Sequence, residues 1–274
     1  MSLHLDNINA LIELIDNGTK LALAPDYSGC AMKAVRSLIN HKVCDLHLVG
    51  VPSIGFQGDM LIGSGCVSTV ETAAVTIGEY GQAPRFTDAI NKGDINIIDG
   101  TCPAIHAGLQ AAEKGIPYMP VRGIIGSDLL KKRDDWIIGN NPFDKDDSPL
   151  VMVKAITPDV TLVHAPLADS EGNVWIGVRR EMMVMAHASK TTLVTYENLY
   201  EGNLLNDTNM AAGTISSLYI SALALAKNGA WPVGLFGTYP ADDEHLRLYI
   251  DMARTEDGFQ NYLSRYVMDK DIKE

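Results

Sequence analysis

Several things are scarce in this chain of 274 residues, and each shortage excludes a class of function. Cysteine is one: Cys30, Cys44, Cys66 and Cys102 stand far apart with no C-x-x-C pair, which fits neither a zinc site nor a disulfide framework. The histidines show no H-x-x-x-H spacing, so a bound metal is not expected. Basic residues are outnumbered, 22 Lys and Arg against 34 Asp and Glu, for a net charge of −12 and a pI of about 4.9. Phosphate backbones and anionic bilayers need a basic face, so neither nucleic acid nor a membrane is an expected partner. Long apolar runs are absent too, none approaching the ~18 residues of a spanning helix. The most apolar late stretch, 215–226, is interrupted by Ser216, Ser217 and Ser221. The first residues carry Asp6, Glu13 and Asp16 inside an apolar pattern, unlike a secretion signal. Ile8, Leu11, Ile12 and Ile15 fall at helical spacing there and read as an amphipathic helix. A reduced, cytoplasmic protein is the expectation.

What is present is an alternation. Hydrophobic content of 46% and charged content of 20% are ordinary for a globular chain. Short apolar runs at 20–25, 45–51, 70–77, 95–98 and 118–121 each empty into a turn rich in Gly, Asp or Ser. Helical patterns at 32–38, 86–92 and 104–114 lie between them. Strands alternating with helices imply right-handed crossovers and an open, mostly parallel sheet flanked by helices, in one α/β domain over residues 1–274. Residues 136–149 interrupt the pattern as a β-flap excursion, with 144–147 as a solvated loop. Apolar strands resume at 150–156, 160–164 and 193–196, a short helix at 184–188 and a helical pattern at 244–267. No internal repeat, low-complexity tract or linker is visible.

In parallel sheets ligands collect outside the carboxyl ends of the strands. The loops holding Tyr27, Ser53, Glu79, Cys102 and Arg122 are expected on that edge. An acidic protein that binds an anion must supply local positive charge and backbone donors. The turn Val121-Arg122-Gly123-Ile124-Ile125-Gly126-Ser127-Asp128 offers both. Arg122 either grips a substrate carboxylate with both arms of its guanidinium or pairs with Asp128 or an acid of another chain. Gly126 and Ser127 are candidate N–H donors to a ligand. Glu79 is either a base or nucleophile or a carboxylate capping its turn. Cys102 either lines an acyl pocket or fills a small buried space. Tyr27 and Ser28 either touch substrate or form an ordinary turn.

Several segments in colinear order carry a resemblance over nearly the whole chain. They are Asp59-Met60-Leu61-Ile62-Gly63-Ser64-Gly65-Cys66-Val67, Ala107-Gly108-Leu109-Gln110-Ala111-Ala112 with 117–128, Pro142-Phe143, and Pro158-Asp159-Val160. The stretch from His164 through Ala168-Asp169 to Gly172-Asn173 follows, then Gly229-Ala230-Trp231-Pro232, His245-Leu246, Gly258-Phe259 and Tyr262-Leu263. Together they resemble the alpha subunit of class I coenzyme A transferases, of the glutaconate CoA-transferase type. The resemblance implies a homologous beta subunit in an α2β2 assembly, a coenzyme A thioester as substrate and no permanently bound cofactor. It puts the nucleophilic glutamate in the beta subunit, so no catalytic residue is expected in this chain. It makes the His164 and Asp169 region structural, ordering a turn ahead of Gly172-Asn173. The first loop, Pro25-Asp26-Tyr27-Ser28-Gly29-Cys30, departs from the glycine-rich pattern of such subunits. A related branch hydrolyses ring-containing CoA thioesters with an alpha-chain glutamate after the fourth strand, where this chain has Cys102. A non-catalytic ligand-binding or sensor subunit is the alternative from a different class.

Overall fold

Residues 21–23 are buried without exception, as a strand covered on both faces must be. The computed structural model describes residues 3–143 and 148–268 and builds a large sheet around this strand, β2 (Lys20–Leu23), which follows the short β1 (His4–Leu5) and the helix α1 (Ile8–Ile12). From β2 the chain steps outward in one direction. The helix α2 (Met32–Asn40) leads to β3 (Leu46–Gly50), α3 (Gly55–Gly63) to β4 (Val67–Thr72), and α4 (Pro84–Lys92) to β5 (Asn96–Asp99), each strand parallel to the last. Met32, Val35 and Leu38 of α2, with Phe56, Met60 and Leu61 of α3, pack on one face of this sheet in the main core.

At β5 the chain leaves the sheet. The helix α5 (Cys102–Glu113) crosses to the opposite face, where Ile105 and Leu109 meet Ala22 and Val49. The strands β6 (Tyr118–Val121), β7 (Trp136–Asn140) and β8 (Pro149–Lys154) then form a separate antiparallel sheet in the order β6-β8-β7. The expected flap is therefore a three-stranded sheet. The expectation that 118–121 and 150–156 join the parallel strands is corrected. Residues 144–147 of the expected solvated loop lie outside the described residues.

The chain re-enters at the centre. The ten-residue β9 (Val160–Asp169) pairs in parallel with β2 on one side and with β11 (Thr191–Tyr200) on the other. Between them come the short β10 (Val174–Trp175), turned back antiparallel on β9, and α6 (Arg180–Ala188). The strand β12 (Thr214–Ile215) pairs with β10, and β13 (Ala222–Leu225) extends the sheet beside β11, with β1 added at that edge. The path of the sheet reads β1-β13-β11-β9-β2-β3-β4-β5. The helical pattern at 244–267 is two helices, α7 (Asp243–Ala253) and α8 (Glu256–Tyr266), because Thr255 caps a new start by accepting the Gly258 N–H at 3.1 Å.

Winding reverses between β2 and β9. The helix after β2 covers one face, and α6, after β9, covers the other, with Met185 and Ala188 in the core that α5 shares. Adjacent strands whose following helices diverge leave a crevice at their carboxyl ends, and α/β sheets bind ligands in such crevices.

Candidate active site at the strand reversal

The loop after β2 enters this crevice through a set of local constraints. The Ser28 N–H closes a turn on the Pro25 carbonyl at 2.9 Å. The Asp26 carboxylate accepts the Phe56 N–H at 2.9 Å and so caps the start of α3. Gln57 donates from its side chain to the Ala24 carbonyl, tying α3 to the same loop. Gly55 is required here, because a Cβ would sit 2.0 Å from Asp26 Oδ2. Asp26 is half-exposed as a residue, but its carboxyl end is enclosed, and that burial pushes its pKa up to about 6 against the two hydrogen bonds it accepts.

Gly29 anchors the other side of the loop. Its carbonyl accepts the His164 N–H of β9 at 2.8 Å, and a Cβ on it would lie 2.2 Å from the His164 carbonyl oxygen. Backbone cannot yield as a flexible side chain can. Gly29→Ala is expected to cost about 1–3 kcal/mol of stability, read by denaturant unfolding. A loss below about 0.5 kcal/mol would show that the loop shifts freely.

So held, Tyr27 is exposed and Ser28 is buried, with its hydroxyl donating to the Glu181 carboxylate in the first turn of α6. The Arg179 guanidinium lies 5.2 Å from the centre of the Tyr27 ring and 4.7 Å from that of Phe236. Partial burial raises the Tyr27 pKa, the Glu181 charge adds to it, and Arg179 opposes. The start of α5 comes to the same place, with Cys102 close enough to influence the Tyr27 hydroxyl. Cys102 is the first residue of α5 and is exposed, so the buried-filler alternative is excluded, and its thiol donates to the Pro52 carbonyl at 3.8 Å. Thr101 caps the helix by accepting the Ala104 N–H at 3.3 Å. The crevice thus gathers two hydroxyls, a thiol and a cation.

Two other expected loops, with four of the candidate residues, lie elsewhere. Arg122, Gly126 and Ser127 follow β6 and so belong to the flap, not to the carboxyl edge of the parallel sheet. Asp128 pairs with Lys131 at 2.7 Å. The Ser127 N–H and hydroxyl both donate to the Ile124 carbonyl, at 3.2 and 2.8 Å, and Gly126 at φ +82° completes this self-contained turn. Glu79 is exposed in the 3₁₀ turn Gly78–Tyr80, beyond the end of β4, where the neighbouring Tyr80 hydroxyl donates to Asp243 of α7 at 2.5 Å.

His164 and Asp169 have separate duties. Asp169 orders the expected turn, accepting the N–H groups of Glu171, Asn173 and Leu204 at 3.0, 2.9 and 2.9 Å. His164 faces Glu197 of β11 instead, with Nε2 2.9 Å from the carboxylate and Nδ1 2.8 Å from the Thr195 hydroxyl. A second buried carboxylate, Glu71, is held by Lys20 at 2.8 Å and Arg133 at 3.1 Å. It lines a cavity of about 580 Å³ between the main sheet and the flap. That cavity shares no lining residue with the Tyr27 cluster, and its buried charges are already paired, so we place the candidate site in the crevice. Among the described residues, no group of three or more His, Cys, Asp or Glu side chains converges as a metal would require. No helix there is long and apolar enough to cross a membrane.

The coenzyme A transferase family profile matches residues 5–215. The chain belongs to that family. Within it, the A-type subunit of 3-oxoadipate CoA-transferase from Pseudomonas knackmussii is 29% identical over 94% of this chain and 91% of its own length. A crystal structure of glutaconate coenzyme A-transferase from Acidaminococcus fermentans superimposes with a TM-score of 0.91 at 25% identity, covering 98% of this chain and 90% of that one. An uncharacterised protein of Archaeoglobus fulgidus is 28% identical over 86% of this chain, which spans only 53% of that relative's length. The open, mostly parallel sheet read from the sequence is the fold of this transferase family.

Sequence reasoning missed Arg179, Glu181 and Phe236. One signal was available: Arg179 follows Gly177-Val178 in a chain poor in cations, the same association of arginine with glycine that singles out Arg122.

Proposed function

We propose that this chain is the A-type subunit of a CoA-transferase that exchanges coenzyme A between an acyl-CoA and a carboxylic acid. A homologous B-type subunit, in an α2β2 assembly with specific interfaces on the order of 2,000 Å², supplies the nucleophilic glutamate. The observation that carries the reading is the near-complete superposition on glutaconate CoA-transferase. The relatives named for 3-oxoadipate and glutaconate act on dicarboxylic acids, and we take the acid here to be a dicarboxylate as well.

In this reading the partner's glutamate attacks the acyl-CoA carbonyl and expels the CoA thiolate, leaving a mixed anhydride. The thiolate attacks the glutamyl carbonyl and expels the acyl carboxylate, leaving a glutamyl-CoA thioester. The acceptor carboxylate attacks that thioester, and the thiolate returns to the acceptor's carbonyl, freeing the glutamate. Splitting one exchange into such steps is covalent catalysis. This chain contributes the crevice wall: the Tyr27 hydroxyl as a donor near developing oxyanions, Ser28 holding Glu181 beside it, and Cys102 as lining for the acyl group. Its carboxylates near the crevice are engaged, Glu181 by the Ser28 hydroxyl and Asp26 by the first turn of α3. Cys102 also stands where the ring-opening relatives are expected to carry their acid.

The purified chain is expected to show no transfer from acetyl-CoA to any acid. Mixed with a B-type subunit encoded beside it, it is expected to transfer and to accumulate a CoA thioester on the partner, seen by intact-mass spectrometry. Turnover by this chain alone, or release of free CoA without an acceptor acid, would overturn the reading.

A further inference from the structure

Most arginines in this chain are already occupied. Arg85 pairs with Glu256 and Arg133 with Glu71 and Asp135. Arg36 donates to the Trp231 carbonyl and Arg180 to that of Ala212. Arg179 differs. Among the described residues its side chain makes no hydrogen bond or ion pair; Arg36 and Arg85 share a buried, unpartnered Nε but donate through Nη, whereas the whole Arg179 guanidinium is uncommitted.

The surroundings say what would satisfy it. The Tyr27 and Phe236 rings lie against the guanidinium and are themselves 51% and 59% exposed. Aromatic contact on its faces fixes the group; Nε is enclosed, and the outer edge formed by the two Nη atoms is left to meet a carboxylate with two donors. Exposed aromatic surface beside a cation suits a ligand with a methylene chain ending in one negative charge. A polyphosphate suits it badly, because Glu181 stands beside the same Tyr27 hydroxyl and Arg180 is committed elsewhere. The Tyr27 loop that holds the cation also forms the crevice.

Resting on the transferase reading, we infer that Arg179, held against Tyr27 and Phe236, takes the far carboxylate of the dicarboxylic acid and so selects dicarboxylates over monocarboxylates. Arg179 is a specificity residue; the reacting carboxylate lies at the other end of the substrate.

The test uses the full chain assembled with its B-type subunit, acetyl-CoA as donor, and glutarate and pentanoate as acceptors of equal carbon number. The kcat/KM ratio of glutarate to pentanoate is expected to fall about 10–100-fold in Arg179→Gln, the loss of one bidentate charge-assisted contact. Arg179→Lys should recover only a minor part, because an ammonium cannot make the paired contact. An unchanged ratio overturns the inference. So does a rise in the KM of acetyl-CoA shared by both acids, which would mark a CoA phosphate contact. Failure of both variants to assemble also overturns it, marking an anchor for the partner chain. If the assembled wild type transfers to no acid, the transferase reading fails by itself. Calorimetric binding of glutarate to the same complex then decides: binding weakened tenfold or more in Arg179→Gln supports the inference, and binding that is absent or equal in both proteins overturns it.

Discussion

Glu197→Gln is expected to lower the unfolding free energy by about 1–3 kcal/mol at neutral pH. Glu197 is buried at 4% exposure and accepts four hydrogen bonds, from His164 Nε2 at 2.9 Å, the Tyr239 hydroxyl at 2.7 Å, and the N–H groups of Gly229 and Asn228 at 2.8 and 2.9 Å. A carboxamide turns one acceptor oxygen into a donor facing donors, so at least one buried N–H loses its partner. Burial opposes its ionisation, but these donors outweigh it and hold the Glu197 pKa at about 2, against an ordinary 4.5. Burial holds His164 below its ordinary 6.5, so its neutral ring donates from Nε2 and accepts from Thr195 at Nδ1. Both folded pKa values are depressed, so both groups favour the folded state at higher pH. The His164 part is lost as pH falls below 6.5, and the Glu197 part as it falls from about 4.5 to about 2. Urea unfolding at pH 7 and pH 4 reads both; a loss under about 1 kcal/mol in the Gln variant would count against the network as the clamp of the loop after β13.

Glu71→Ala should be more damaging still, at about 3–5 kcal/mol, because it strands the cations it was holding. Arg133 is 4% exposed, stacks on Trp136 at 4.4 Å, and among the described residues otherwise keeps only Asp135 and the Asp99 carbonyl. Lys20 loses its one ion pair among those residues, and His47, 3.2 Å from the same carboxylate, loses its neighbour. Burial opposes ionisation of Glu71, but His47, Lys20 and Arg133 outweigh it and hold the pKa at about 2. The stabilisation is complete above about 4.5 and lost as pH falls toward 2. Glu71 belongs to β4 and Arg133 to the flap, so the variant should loosen the flap before the main sheet. Limited proteolysis is expected to cut first within residues 122–150. Cleavage that begins in the main sheet would show that the pair does not tether the flap.

The alternation of strand and helix was legible because Leu21, Ala22 and Leu23 form an apolar run, 46–50 is apolar apart from His47, both end in turn formers, and 32–40 carries a one-sided apolar pattern. Sheet membership was not. In β8 only Val151 and Val153 are fully buried, but Leu150 and Met152 between them are apolar too, so the half-covered strand reads like a fully covered one. The misplacement of Arg122 on the large sheet is thus an error of pairing and not of propensity. Tyr27, Ser28 and Cys102 are readable because they follow strands of the large sheet directly. Arg179 and Glu181 come after β9 only by way of β10 and the turn beyond it, and nothing local to residues 170–180 says that this detour returns to the crevice. The reading of 244–267 as one helical pattern passed over a local signal at Thr255, a capping residue followed by Glu256 and Asp257 in a first turn.

The entry of β9 between β2 and β11 sets the order in which the fold can be completed. Residues 20–99 can wind into four parallel strands by local crossovers, but β2 then presents an apolar, unpaired edge. Its partner is encoded far downstream, with every pair from Leu21↔Val160 to Leu23↔Leu162 separated by 139 positions. Until that strand emerges during synthesis, the edge is open to any other extended chain, the situation in which sheets mispair or aggregate. Closing the centre over so long a separation makes folding slow relative to a helical protein of this size. The strand reversal that creates the binding crevice thus also makes the nascent chain vulnerable at its centre.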